Sequence, residues 1–202
     1  MTSREARSGP AGVVLCGGSS TRMGRDKATM STPNGPLAGV AARALQDELL
    51  GPPSLPDDDG KPMGDERRAV EQCKKACLMV LGLAMQTYRE SLGDQQEVLL
   101  HAADMIMETY AAESALLRAL SSKGRSLGNA DLHVAAAQVT VNDAAVRIDA
   151  SARQALAVML EGDTLRTMVA ALKRLFRQMP VNTAVLRRAL SDAAVAQGAY
   201  PF

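Results

Sequence analysis

Beyond Gly64 the apolar residues recur at spacings of three and four, the pattern of a helix with one buried face. Asp65 is placed to cap a first helix that runs to about Leu92. Its stripe is Cys73, Ala76, Cys77, Val80, Leu81, Ala84, Met85 and Tyr88, and Gly93 ends it. Asp94 is placed to cap a second helix to about Leu120. There Val98, His101, Ala102, Met105, Ile106, Thr109, Tyr110, Glu113, Leu116 and Leu117 mark the inward stripe. A connector at 121–129 precedes helices expected over 131–160, 163–178 and 183–197, the last closed by Gly198 and Pro201. Short connections favour antiparallel neighbours. The expected fold is all-α, an antiparallel bundle of about five helices.

The first third of the chain reads differently. Residues 12–16 form a short strand-like run, and 31–36 are turn-rich. A short amphipathic helix is expected over 37–50 through Leu37, Val40, Ala41, Leu45 and Leu49. Pro52, Pro53, Pro56, Pro62 and the run Asp57-Asp58-Asp59 then make 51–64 a linker. Three parts follow: 1–36, too short to fold alone; 37–64, short helix and linker; and 65–202, the helical domain.

Composition sharpens this picture. The chain has 202 residues, room for one domain with an appendage and too few for a complete multi-domain flavoenzyme. It is 47% hydrophobic but only 2% aromatic, so Ala, Leu, Val and Met must build the core, which suits close-packed helices. A net charge of +1 provides no global field to recruit nucleic acid. Cys73 and Cys77 lie one helical turn apart in an apolar stretch, as buried thiols do, which points to a reducing compartment. No apolar run reaches about 18 residues, so a soluble, cytoplasmic chain is expected.

The one stretch that looks like a site is the glycine-rich loop after residues 12–16. Glycines let a backbone approach a phosphate, and Arg22 and Lys27 supply positive charge. The run Leu15-Cys16-Gly17-Gly18-Ser19-Ser20-Thr21-Arg22-Met23-Gly24-Arg25-Asp26-Lys27-Ala28 resembles the opening signature of molybdenum-cofactor guanylyltransferase-like nucleotidyltransferases. That resemblance implies that Leu15, Gly17 and Gly18 wrap a nucleotide while Arg22 and Lys27 face its phosphates, with GTP and Mg2+ as ligands. It stops near residue 30, and no later strand is available for the metal-binding Asp that family requires.

The helical part carries a second resemblance. Lys74-Lys75-Ala76 through Leu83, Gln96-Glu97-Val98-Leu99, Ala103-Asp104 and Tyr110 through Ala119 are similar to the C-terminal helical extension of very-long-chain acyl-CoA dehydrogenase-like proteins. Asn182 through Leu190 and the ending Gly198-Ala199-Tyr200-Pro201-Phe202 resemble that family's last helix and terminus, so the likeness covers about 60–202. It implies a non-catalytic packing or oligomerisation domain of a fatty acid oxidation protein, with membrane association in some members. FAD and the catalytic Glu belong to a preceding core that this sequence lacks, so neither a catalytic residue nor a cofactor is assigned to this chain. Two unrelated resemblances in one chain suggest a fused or truncated protein.

The remaining candidates take ordinary readings. Asp104, Glu108 and Glu113 are expected to be ion-paired or solvated, His101 to be a packing residue and His133 to be exposed. Two separated histidines make no zinc site, and Asp57-Asp58-Asp59 lacks the pattern of a calcium loop. Met79, Met85, Met105, Met107, Met159, Met168 and Met179 read as gap-filling core. The strongest non-core feature lies between Gly162 and Leu190. There Arg166, Lys173, Arg174, Arg177, Arg187 and Arg188 face a single acid, Asp163. Self-association or a protein partner is expected at this face, with Leu172, Leu175 and Phe176 as anchors and the arginines on the rim. Contact of helix 163–178 with an anionic membrane surface is the second option.

Overall fold

The computed structural model describes residues 62–125, 128–177 and 180–202, together with a two-residue antiparallel ladder pairing β1 (Ser31–Thr32) with β2 (Gly35–Pro36). The strand-like run at 12–16, the helix expected at 37–50 and the linker up to residue 61 lie outside the described residues.

Five α-helices make up the rest: α1 (Gly64–Tyr88), α2 (Gln96–Gly124), α3 (Ala130–Met159), α4 (Gly162–Leu175) and α5 (Thr183–Gln197). A 3-10 segment, Arg89–Asp94, joins α1 to α2. The first helix thus ends four residues before the predicted Leu92. The break is not at Gly93 but at Arg89, which takes a left-handed φ of 49° and donates its backbone N–H to the Met85 carbonyl. Neither Asp65 nor Asp94 caps a helix. The capping positions fall on Met63 and Gln95, and neither side chain makes a cap hydrogen bond. At α5 the cap is made by Asn182, whose side chain accepts from the Val185 N–H at 3.3 Å, and Gly198 ends the helix in the left-handed region that a glycine adopts without a Cβ penalty.

The long hairpin of α2 and α3 is the frame, and α1 packs against both. Alanine is what lets these backbones come close. Ala76 on α1, Ala112 and Ala119 on α2, and Ala144, Ala152 and Ala155 on α3 are all fully buried. Met105, Ile148, Leu156, Val80, Val98 and Cys73 fill the space between them. Helix α4 closes one end by inserting Ala171, Leu172 and Leu175, while α5 lies on α3 and buries no residue.

Polar links hold the layers in register. Lys74 on α1 pairs with Glu113 on α2. Arg147 on α3 donates two hydrogen bonds to Glu108 on α2, at 2.6 and 2.7 Å. Gln138 donates to Glu66 at 3.0 Å, and Arg187 ties α5 to Asp143. The carboxylates Glu108 and Glu113 are therefore structural partners of cations, as their reading in the sequence implies.

Candidate interaction surface

The surface of interest is on α2, which is apolar on two opposite sides. Its inner stripe of Val98, Ala102, Met105, Thr109, Ala112, Leu116 and Ala119 is buried in the bundle. A second stripe, Leu100, Ala103, Met107, Tyr110, Ser114 and Leu117, faces solvent. At roughly 100° per residue the two stripes are centred about 150° apart around the helix, so no rotation of α2 could bury both in one bundle. The large outer residues are 62% (Leu100), 60% (Met107), 68% (Tyr110) and 58% (Leu117) exposed. Tyr110 and Leu117, expected on the inward stripe, and Met107, expected in the core, thus point out. The cause is that two sets of three-and-four spacing interleave on this helix, and a stripe drawn through both mixes inside with outside. A second uncovered area is on α5, where Val185 and Val195 are exposed.

The anchors predicted on the basic helix are corrected by the structure. Leu172 is fully buried and Leu175 nearly so, both within the main core, and half-buried Phe176 packs against that core. They are what docks α4 onto the bundle rather than a free face. Arg166, Lys173, Arg174, Arg177, Arg187 and Arg188 are exposed. The apolar side of α4 is thus engaged by the core. Among the described residues, no helix is long and apolar enough to cross a membrane.

His133, expected to be exposed, is buried at the start of α3. Its ring lies 4.8 Å from that of Phe202, and Asn129 donates to the Pro201 carbonyl at 3.2 Å, so the chain end folds back over it. A contact 69 residues away in sequence leaves no local signal at His133. His101 and Asp104 are half-buried. Met79, Met105 and Met159 are core as expected, whereas Met85 is exposed.

The two described thiols are shielded by burial. Cys73 and Cys77 are buried free thiols. Burial, reinforced by the neighbouring Cys77, pushes the Cys73 thiol up to about 12. Burial also raises Cys77, partly offset by its contact with the Thr109 hydroxyl at 3.3 Å. Among the described residues no group of His, Cys, Asp and Glu could hold a metal ion. Nor does any buried side-chain nitrogen or oxygen there lack a hydrogen-bond partner. A flavin needs convergent polar groups inside a pocket, and the described core, lined by Ala, Val, Leu, Ile and Met, does not fit it. The loop residues Leu15, Gly17, Gly18, Arg22 and Lys27 lie outside the described residues.

Comparison with known proteins places the helical part. Residues 72–174 match the family profile described as acyl-CoA dehydrogenase, C-terminal domain. A probable acyl-CoA dehydrogenase from Bacillus subtilis (strain 168) is 36% identical over 151 residues, which cover 73% of this chain and 25% of the relative. The crystal structure of an acyl-CoA dehydrogenase from Bacillus anthracis, complexed with FAD, superposes with a TM-score of 0.73 at 32% identity, over 79% of this chain and 27% of that one. The chain therefore spans about a quarter of the length of these relatives, and the nucleotide-loop segment lies outside the family match. With the matched profile running from α1 to α4, this chain belongs to the acyl-CoA dehydrogenase C-terminal domain family.

Proposed function

We propose that this chain is a non-catalytic helical packing and oligomerisation module of the acyl-CoA dehydrogenase kind. In a full-length enzyme such a module would hold subunits together, while FAD and the acyl-CoA substrate would belong to the larger remainder. The observation that carries the reading is the second apolar stripe of α2. It lies opposite the buried one and is left uncovered by the bundle. Contiguous apolar patches larger than a few hundred Å² on a folded domain mark interaction sites.

Sedimentation equilibrium of the purified chain over the micromolar range tests this. The reading expects reversible, concentration-dependent association with a helical circular-dichroism spectrum. A strictly monomeric chain would refute self-association, and a yellow protein retaining about one flavin per chain would refute the non-catalytic assignment.

A further inference from the structure

We infer that two copies of this chain pair through the outer face of α2, the helices running antiparallel about a two-fold axis between Met107 and Tyr110. The inference rests on the self-association proposed above and specifies its surface and register.

Three observations carry it. The first is spacing: Leu100, Ala103, Met107, Tyr110, Ser114 and Leu117 follow one another at intervals of three, four, three, four and three, and all six are exposed. This is the seam along which two helices pack side by side, and at 1.5 Å per residue it is about 26 Å long.

The second is symmetry. In size the seam reads large, small, large, large, small, large, which is the same in both directions. A reversed second copy therefore sets Leu100 against Leu117, Ala103 against Ser114 and Met107 against Tyr110. A two-fold interface requires such a self-complementary patch, and the small Ala103 and Ser114 let the backbones approach.

The third is charge. Glu97 lies three residues before the seam and Arg118 directly follows its last member, both exposed and on the same flank of the stripe. Antiparallel pairing brings Glu97 of each copy to Arg118 of the other, at both ends of the seam. In a parallel pair the same flank of the two copies lies on opposite sides of the seam, so Glu97 and Arg118 would not meet; the antiparallel arrangement is the one that brings this opposite-charge pair together. With on the order of 100 Å² exposed on each of the four large side chains, two facing seams and their flanks reach about 1,000 Å², the lower bound for a specific contact. The dimer is accordingly weak and reversible.

The test is sedimentation equilibrium on the full chain and four variants, each checked for unchanged helicity and melting. Tyr110→Glu sets a charge at the centre of the seam, on a side chain 68% exposed in the single copy, and should abolish the dimer without unfolding the bundle. Glu97→Arg and Arg118→Glu should each weaken it by about fivefold to tenfold, and the double variant should return to within about twofold of the parent. If the double variant is weaker than either single one, the antiparallel register is wrong. If the parent dimerises but Tyr110→Glu dimerises equally well, the seam is not the interface, although the module still self-associates. If the parent is a monomer throughout, the seam and the self-association reading fall together.

Discussion

Leu172 separates the structural account from the surface that the sequence pattern suggests. It is fully buried and, with Ala171 and Leu175, is one of the three buried residues of α4. Leu172→Ala removes three carbons from that contact, about 2.4 kcal/mol at ~0.8 kcal/mol each. The cavity left behind raises the expected loss to about 3–4 kcal/mol. For a chain of this size that lowers the melting midpoint by about 6–15 °C. The assay is urea unfolding followed by far-ultraviolet circular dichroism, with Leu117→Ala as the comparison. Leu117 is 58% exposed in the single copy, and its truncation should cost under about 1 kcal/mol at concentrations where the chain is monomeric. The reasoning is refuted if Leu172→Ala costs under about 1 kcal/mol while dissociating an oligomer. Leu172 would then be an interface anchor and α4 would not be docked as described.

Ala144 is fully buried in the core, so Ala144→Leu should destabilise the bundle by about 1–3 kcal/mol in the same unfolding assay, through overpacking. The buried thiols imply a pH dependence at the alkaline end. Because Cys73 ionises at about 12 in the folded chain and near 9.0 when unfolded, the unfolded state releases its proton first. The corresponding stability is complete below about pH 9 and is lost as pH rises toward 12. Cys73→Ala should flatten this alkaline slope of unfolding free energy. Glu108→Gln breaks a half-exposed pair with Arg147 and should cost no more than about 1 kcal/mol, with an effect that shrinks in high salt during thermal melts.

The bundle was legible in the sequence wherever one face alone is apolar. Helices α3, α4 and α5 begin and end within a few residues of where periodicity and Gly198 place them. The interaction surface was less legible, because periodicity reports that a face is apolar and not what covers it. On α2 two apolar faces share the helix, and which of Met105 and Met107 goes inside is decided by α1 and α3, distant in sequence. Leu172 and Phe176 sit among arginines and look like a free amphipathic face, but the core cluster of α1–α3 needs a lid and takes them. Arg89 ends α1 by a backbone turn that any residue type makes at a cost, so nothing in its identity announces the break. His133 is buried by the chain terminus, through a ring contact that no local pattern contains.

The central claim is that this chain is a self-associating helical module without flavin chemistry of its own. Sedimentation velocity of the purified chain tests it most directly, recorded by interference optics because three tyrosines and no tryptophan give weak ultraviolet absorbance, and at the flavin band in parallel. The account predicts a boundary that moves from monomer toward dimer as concentration rises, with no flavin absorbance travelling with it. A concentration-independent monomer, or a flavin band that co-sediments with the protein, would contradict it.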